Sequence, residues 1–392
     1  MKFAHIADCH VGGWKEEKLK ELSILAFEQA IDKCIEENAA FVLIAGDLFN
    51  TALPNIDIIK RVAASLSKLR NYDIDVYAIP GSHDFSPSGK SVLDILEHAG
   101  LLHNVVKFQD NKLLFTLDKT NVKIAGLHGK RLGLDKIDYE NLDKTNLEKE
   151  QGFKIFLFHA LLNEFKPRAF EHIQGHNIES LPRNFNYYAG GHPHFIDYKV
   201  KNNRLISYPG PLFPNNFSEL EELKHGGFYI VDDKLNIKRI NINIKDVITI
   251  NIDANDKNPG QVENEIIKSI KDYNNKIVTI RIEGILKEGK PGDIDFKKIF
   301  SKFEDAYAIL KNTYKLTSKE FENFEVKQGS IEEIELSLIK ENIKDFKEQL
   351  VHNLIEELSK DKHEGETSKD FEDRLFKDII KVLNLEDLWH VN

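Results

Sequence analysis

The sequence has few of the residues that build disulfide-rich, membrane or fibrous proteins. Its 392 residues include only two Cys, one Met and two Trp. Two Cys cannot form a disulfide framework, which fits a reducing compartment. The longest apolar stretches, such as 153–162, contain Lys or His within about ten residues and are too short to cross a bilayer. The first residues lack the apolar segment of a signal peptide, so we expect a cytoplasmic protein with no membrane partner.

The net charge of −10 is concentrated at the carboxyl-terminal end. Residues 331–392 carry 17 acidic and nine basic residues, whereas the preceding 330 residues are nearly neutral, with 47 acidic and 45 basic. A nearly neutral body that holds two cations can still bind phosphates, because the charge of a bound metal counts locally. The acidic total therefore does not exclude a nucleic acid as partner.

Residues 1–245 alternate short apolar runs with amphipathic segments. The apolar runs predict buried strands at 2–7, 41–45, 74–79, 122–127 and 153–158, followed by hairpin-like strands at 195–200, 205–208 and 227–231. Helical spacing predicts helices over 15–37 and 55–71. This alternation is typical of an α/β fold with a pair of mixed sheets covered by helices.

Two further segments follow, so we predict three domains: 1–245, 246–318 and 319–392. The second repeats the strand–helix alternation on a small scale. In the third, apolar residues from Ile331 to Leu358 predict a long amphipathic helix, and Thr367 and Asp370 resemble a capping box before a second one. Two helices alone bury little surface, which favours docking on a partner; packing on the rest of the chain is the alternative.

Histidine and aspartate concentrate where the predicted strands end. These residues are Asp8 and His10, Asp47, His83 and Asp84, His159, and His192 and His194. Open α/β sheets bind ligands at the carboxyl ends of their strands. Each motif alone is a weak signal, but five of them after apolar strands predict one joint site.

The residue types indicate a site for two metal ions. Asp8 with His10, and His192 with His194, have the spacing at which both side chains can turn inward where a strand ends. Carboxylates and imidazoles suit Mn²⁺, Zn²⁺ or Fe better than Mg²⁺. Two such ions ~3.5–4 Å apart can clamp a phosphate and lower the pKa of a shared water. One aspartate must bridge them, and Asp47 at a sharp Gly-Asp turn is the best candidate.

These motifs resemble the signature of the calcineurin-like metallophosphoesterase superfamily, which reads D-x-H, G-D, G-N-H-[DE], a further His and G-H-x-H. Within it, the sequence is most similar to the SbcD class of double-strand-break repair nucleases, the meiotic-recombination-eleven family. The supporting residues are Gly46–Phe49 followed by Leu53-Pro54, Gly190–His194, and Tyr208–Gly210. The motifs cover residues 1–215, whereas the remaining segments resemble the family only in their order.

The resemblance implies a four-layer α-β-β-α sandwich with a small α+β capping domain and a carboxyl-terminal helical pair. The implied ligands are Asp8, His10, Asp47 and His194 for one ion, and Asp47, Ser82, His159 and His192 for the other. His83 would be the catalytic histidine, which steadies the transition state or protonates the leaving oxygen, and Asp84 would orient it.

The implied activity is Mn²⁺-dependent hydrolysis of DNA phosphodiesters in double-strand-break repair, as a 3′–5′ exonuclease and single-strand endonuclease. The implied partners are DNA, a second copy of the chain, and a coiled-coil ATPase of the SbcC type bound by the helical pair. Lys166, Arg168 and Arg183 flank the motif strands and are candidate phosphate contacts, although charged loop residues are commonly only solvated. Two alternatives stay open: a metallophosphoesterase with a non-DNA substrate, and a repair scaffold with a weakened metal site.

Ser82 departs from the family pattern, which has Asn at this position. A serine hydroxyl is shorter than an asparagine carboxamide, so it reaches a metal only if the loop closes in or a water intervenes. One interpretation is that the second ion binds more weakly, or only with substrate. The interpretation that we favour is that a hydroxyl or a bridging water serves nearly as well, because phosphates can complete a wet coordination shell.

Overall fold

The structure, a computed structural model, describes residues 1–84, 91–130, 136–167, 175–201, 204–319, 350, 353–354, 357–358 and 368–383. The chain divides into two units, Met1–Lys319 and Glu320–Asn392. Among the described residues, no helix combines the length and the apolar character needed to cross a membrane.

The strands are β1 (Lys2–Ile6), β2 (Phe41–Ala45), β3 (Asp75–Ile79), β4 (His103–Asn104), β5 (Phe108–Gln109), β6 (Lys112–Leu113), β7 (Thr116–Leu117), β8 (Lys123–Leu127), β9 (Lys154–His159), β10 (Tyr187–Gly191), β11 (Asp197–Lys201), β12 (Arg204–Tyr208), β13 (Gly226–Asp232), β14 (Ile237–Ile242), β15 (Val247–Asp253), β16 (Ile277–Leu286), β17 (Ala308–Asn312) and β18 (Leu316–Ser318). The helices are α1 (Glu17–Glu36), α2 (Ile56–Asn71), α3 (Val92–His98), α4 (Lys136–Glu140), α5 (Thr145–Lys149), α6 (Phe217–Leu223), α7 (Pro259–Lys268), α8 (Phe296–Phe300) and α9 (Ser368–Val382).

Two six-stranded sheets form the centre of the first unit. Their strand orders are β14-β13-β1-β2-β3-β4 and β11-β12-β10-β9-β8-β7. Strands β1, β2 and β3 run parallel to one another in the first sheet, as do β8, β9 and β10 in the second. Each predicted site motif therefore follows the carboxyl end of a parallel strand, the edge at which such sheets bind ligands.

The alternation of side chains along β1 and β2 separates two core layers. Phe3 and Leu43 pack between the sheets with apolar residues of the second sheet, such as Leu157. Ile6 and Ile44 point the other way and pack beneath α1, α2 and α3. The outer face of the second sheet is covered by α4, α5 and neighbouring loops. The predicted four-layer α-β-β-α sandwich is confirmed.

His5 is a buried polar residue of the layer between the sheets. Its Nδ1 atom lies 2.9 Å from Tyr187 Oη and 3.1 Å from Ser207 Oγ, both in the second sheet. Burial lowers the pKa of His5 to about 3, so its imidazole is neutral at neutral pH. The residue thus joins the two sheets through hydrogen bonds without placing a charge in the core.

A third sheet lies within 247–318. Strands β15, β16 and β17 are parallel, and β18 also pairs with β16. Helices α7 and α8 contribute Val262, Ile266 and Ile299 to the apolar core of this segment. We call residues 246–318 the cap; its boundary with 1–245 stays a prediction. Of the predicted terminal helices, the second is described as α9, whereas most of the first, 331–358, lies outside the described residues.

Candidate metal centre

The predicted ligands lie on loops with unusual backbone conformations. The φ angle is 50° at Asp8, 41° at His10, 52° at Asp47, 97° at His192 and 56° at His194. Residues other than glycine rarely adopt positive φ, and such strained conformations cluster at functional sites. The loops after β1, β2 and β10 thus hold their side chains where an ordinary strand end would not.

Two glycines let these loops approach one another. Gly46 has a φ of 88°, and a Cβ at this position would lie 2.2 Å from His159 Nδ1. A Cβ at Gly81 would lie 2.2 Å from Asp47 Oδ1. Both distances are far below van der Waals contact, so any larger residue would displace a side chain of the centre.

The described residues contain three groups whose potential ligand atoms lie within 4.8 Å of one another: Asp8, His10 and His194; His10, Asp47 and His83; and Asp8, Asp47 and His159. Asp47 Oδ2 lies 3.1 Å from His159 Nε2 and 3.5 Å from His10 Nε2. The structure therefore brings most of the predicted ligands together. Asp47 and His10 each belong to two of the three groups.

Three histidines are oriented by hydrogen bonds at Nδ1. His159 donates to Ala45 O at 2.8 Å, and His83 donates to Asn50 O at 2.7 Å. A carbonyl oxygen only accepts, so Nδ1 carries the proton in both rings. His194 Nδ1 lies 2.8 Å from Glu219 Oε1. Such contacts fix the tautomer and leave Nε2 for a ligand, which is the usual arrangement around metal-binding histidines.

The donor set fits divalent cations. Asp8 Oδ2 and His10 Nδ1 are buried atoms without a hydrogen-bonding partner in the described structure. His10 Nε2 and His194 Nε2 lie only 2.9 Å apart. Neighbouring ligands at right angles around an ion, with bonds of about 2.0–2.1 Å, would be separated by about the same distance. Carboxylate and imidazole donors together favour Mn²⁺, Zn²⁺ or Fe.

The charges of these side chains depend strongly on one another. Burial alone would lower the pKa of His159, but Asp47 and Asp8 raise it to about 10. Burial also opposes the charge of His194, and its hydrogen bond to Glu219 and the nearby Asp8 raise its pKa to about 9. Despite burial, His159 and His10 hold the pKa of Asp47 well below its usual range. The centre thus retains carboxylate charge that a cation can neutralise.

His83 lies at the rim of the centre. Its ring is half-buried and stands edge-on to His10, with ring centroids 4.8 Å apart. Its backbone N–H donates to Asp47 Oδ1 at 2.7 Å. Because Nδ1 is held by Asn50 O, the other ring nitrogen is left to exchange a proton with a reacting group.

Asp84 joins two loops of the centre through hydrogen bonds to their backbone. Its buried carboxylate accepts backbone N–H groups of Leu48, Phe49 and Gly81, at 2.9–3.1 Å. Burial and the charge of Asp47 raise its pKa to about 7, against the effect of these donors. The ring of His83 is held at Nδ1 by Asn50 O. Asp84 supports the centre through the backbone of the two loops that it joins and through its electrostatic interaction with Asp47, and its implied role in orienting His83 stays a prediction.

Ser82 and His192 lie beside the centre but outside the three groups of converging ligand atoms. Ser82 is buried, and its hydroxyl lies 3.4 Å from Asp47 Oδ2. His192 donates its backbone N–H to Asp8 Oδ1 at 2.8 Å. Its exposed ring lies next to that of His159, with centroids 5.1 Å apart. The predicted ligation of an ion by these two residues stays a prediction.

The structure describes two of the three predicted phosphate contacts, Lys166 and Arg183. Arg168 lies outside the described residues. Arg183 precedes the amino end of β10, whereas His192 follows its carboxyl end, so the two lie at opposite ends of the strand. The backbone N–H of Arg183 donates to Glu148 Oε1 at 2.8 Å. Lys166 is half-buried after the loop that follows His159.

Two residues of the centre were missed by the sequence reasoning. Asn50 contributes its backbone carbonyl, which no side-chain motif reveals. Glu219 accepts from Asn215 N at 2.7 Å as well as contacting His194. A signal for Glu219 did exist: Asn216 is the N-cap of α6, and its side chain accepts from the backbone N–H of Glu219, the N3 residue, where Glu is common after an N-cap.

Comparison with known proteins is consistent with this geometry. The family described as calcineurin-like phosphoesterase matches residues 1–207. The chain is 31% identical over 366 residues to a DNA double-strand break repair protein Mre11 of Methanococcus maripaludis, covering 87% of this chain and 91% of that protein. A protein of the same name from Methanocaldococcus jannaschii is 28% identical over 85% of this chain and 88% of its own length. The corresponding protein of Sulfolobus acidocaldarius is 26% identical over 83% and 86%.

Proposed function

This chain belongs to the calcineurin-like phosphoesterase family and, within it, to the Mre11 DNA double-strand break repair proteins, and from this premise we propose that it is a Mn²⁺-dependent DNA nuclease. As a family member it is a metal-dependent phosphodiesterase. The observation that supports the finer proposal most strongly is the convergence of buried carboxylates and Nδ1-anchored imidazoles around Asp47, with His83 at the rim. The proposed products are those of a 3′–5′ exonuclease and a single-strand endonuclease.

In this proposal, different residues of the chain have different roles in phosphodiester hydrolysis. Asp8, His10, Asp47, His159 and His194 would hold two divalent cations, with Ser82 and His192 completing the second site. When bound, such ions polarise the phosphodiester and acidify a water. His83 is half-buried, and its Nδ1–H is held by Asn50 O, so its Nε2 can carry a proton toward the leaving oxygen. Ala45 O and Glu219 keep His159 and His194 in the tautomer that presents Nε2.

The remaining parts of the chain have proposed roles in assembly. In this proposal the cap, residues 246–318, guides DNA over the centre, and residues 319–392 bind a coiled-coil ATPase of the SbcC type. A second copy would pair near the start of α2, where Leu53 is 74% and Ile56 79% exposed. Lys166 and Arg168 remain proposed DNA contacts. In this proposal the protein acts on DNA repair intermediates in the cytoplasm.

The test is degradation of end-labelled duplex and single-stranded DNA with Mn²⁺, comparing the wild type with Asp47→Ala. We expect the wild type to degrade DNA and Asp47→Ala to be inactive, because Asp47 lies between the ligand groups. Lys298→Gln is a matched control, since it removes an ion pair with Glu263 inside the cap and leaves the centre intact. Loss in Asp47→Ala but not in Lys298→Gln excludes a contaminating nuclease.

Other results would contradict the proposal in distinguishable ways. A wild type that binds Mn²⁺ but hydrolyses only small phosphodiesters would be a metallophosphoesterase with a non-DNA substrate. If neither the wild type nor the Ser82→Asn variant binds Mn²⁺, the protein would be a scaffold whose metal site has decayed.

A further inference from the structure

Helix α6 touches the metal centre with one residue. Glu219 Oε1 lies 2.8 Å from His194 Nδ1, and Glu219 Oε2 accepts from Asn215 N at 2.7 Å. The Glu219 side chain is mostly buried, with 14% of its surface exposed. Both carboxylate oxygens are therefore engaged, and the position of α6 determines where the ring of His194 is held.

The cap also contacts helix α6. Arg281 in β16 donates from Nε and Nη2 to Glu221 Oε2 at 2.8 and 2.5 Å, and from Nη2 to Ser218 Oγ at 3.3 Å. Its guanidinium also lies over the ring of Phe217, 5.2 Å from the centroid. At the other end of α6, Lys224 Nζ donates to Thr249 Oγ1 of β15. Contacts with the cap thus span the helix from its first residue to its carboxyl end.

The ion pair between Arg281 and Glu221 is more buried than an ordinary surface ion pair. Arg281 and Glu221 are only 21% and 11% exposed, and two nitrogens of the guanidinium donate to the same charged oxygen, Glu221 Oε2. Such a partly desolvated pair is less screened by solvent than an exposed one. Helix α6 has only seven residues. Glu221, which contacts the cap, and Glu219, which contacts His194, lie two positions apart in it. We therefore expect the helix to shift as one body.

We propose that Arg281 is a positioning residue for His194, acting through Glu221 and Glu219 of α6, so that the placement of the cap sets the affinity of the metal site formed by Asp8, His10 and His194. This inference rests on the proposed metal centre. It assigns the cap a second role besides guiding the substrate, namely control over how tightly one of the two ions is held. Leu220 is fully buried in the core beneath the first sheet and anchors α6 in addition to the contacts of Arg281, so losing Arg281 should loosen the site and not destroy it.

The first test observes His194 directly in the metal-free full chain. Imidazole nitrogen resonances are recorded after selective ¹⁵N-histidine labelling, and the His194 signal is identified by its loss in His194→Asn. We expect Arg281→Gln and Glu221→Gln each to shift the Nδ1 resonance of His194 toward its position in Glu219→Gln. Lys298→Gln removes another ion pair of the cap and should leave it in place. An unmoved His194 resonance in folded Arg281→Gln and Glu221→Gln would overturn the positioning role.

The second test measures binding of Mn²⁺ from the paramagnetic resonance signal of the free ion. Loss of an outer-shell partner of a metal ligand costs about 10–100-fold in affinity, so we expect that range for one ion in Glu219→Gln. Arg281 acts one step further away, and Arg281→Gln should weaken the same ion by about 3–10-fold and leave the other unchanged. Arg281→Lys keeps the charge next to Glu221 and should recover part of the loss.

A merely structural role for Arg281 would weaken both ions together or neither, and that result contradicts the proposal. Absence of any Mn²⁺ binding by the wild type would instead overturn the proposed metal centre and the claim about affinity. The His194 resonance would then still decide whether Arg281 positions this ring.

Discussion

The two sides of the metal centre differ in the donors that they offer to an ion. On the His194 side, Asp8, His10 and His194 converge, and Glu219 holds the outer nitrogen of His194. On the His159 side, one histidine is equally well anchored, by Ala45 O. Its predicted neighbours offer different donors: Ser82 has a short hydroxyl, and the ring of His192 is exposed. Asp47 lies between the two sides.

This difference separates buried donors from a short hydroxyl and an exposed ring. A buried donor loses less side-chain entropy when it binds an ion than an exposed donor, because folding has already restricted its side chain. We therefore expect unequal affinity for the two ions, with tighter binding on the His194 side. A phosphate oxygen supplied by DNA could complete the His159 side, which would couple its occupancy to substrate.

The largest effect should come from removing the shared residue, which disables both sides at once. Asp47→Ala should reduce DNA hydrolysis by at least about 10⁴-fold, the upper end of what a single acid–base residue contributes. It should also abolish binding of both ions in a Mn²⁺ titration. Retention of one tightly bound ion would show that Asp47 does not belong to the His194 side.

A second variant should separate chemistry from metal binding. His83→Asn should lower kcat by about 10²–10⁴-fold, because the ring that carries the proton is lost. Both ions should still bind, since the ligand groups on the two sides keep their other members. A drop in Mn²⁺ stoichiometry in this variant would instead make His83 a ligand, as its proximity to His10 and Asp47 permits.

A third variant should reduce the inequality between the sides. Ser82→Asn supplies a longer neutral oxygen donor and should tighten the weaker ion by about 3–10-fold, a gain of about one tenfold step or 1.4 kcal/mol at most. The tighter ion should not change. Ser301→Asn, on the surface of the cap, is the matched control. Equal affinities of the two ions in the wild type would contradict the expected weakness at Ser82.

The smallest effect concerns pH and the stability of the metal-free protein. The folded-state pKa of His194 is about 9 and that of His159 about 10, above the unfolded value near 6.5. Their contribution to stability is therefore fully present below about pH 6.5 and is lost as pH rises through about 9 and 10. We expect Tm to fall by at least about 2–4 °C over this range, the shift that roughly 1 kcal/mol produces in a large domain.

Mn²⁺ should reverse this trend, because a cation needs deprotonated imidazoles and replaces the lost protons. Thermal melts from pH 6.5 to 10, with and without Mn²⁺, check both statements. A metal-free Tm that rises with pH across this range would contradict the assigned charges of His159 and His194.

The sequence predicted those parts of the molecule in which local pattern and chemistry coincide. Short apolar runs predicted the buried strands β1 and β2, and strand ends placed Asp8, Asp47 and His159 at one edge. Chain spacing cannot show which way a ring turns, which is why the i, i+2 pattern did not separate half-buried His194 from exposed His192. Proximity to a motif in sequence did not show that Arg183 lies at the amino end of β10, and its contact with a phosphate stays a prediction.

Contacts between residues that are far apart in the sequence could not be predicted from local sequence patterns. Asn50 contributes a backbone carbonyl, and Arg281 reaches α6 from a strand 60 residues after Glu221. Such contacts become visible only when the fold has brought the segments together.

The most direct test of the account is a crystal of the protein grown with Mn²⁺ and measured at the manganese absorption edge. We expect two anomalous peaks about 3.5–4 Å apart on either side of Asp47. The peak at Asp8, His10 and His194 should be the more fully occupied at limiting Mn²⁺. A single peak, or two equal peaks at limiting Mn²⁺, would contradict the unequal two-ion centre on which the proposed nuclease activity rests.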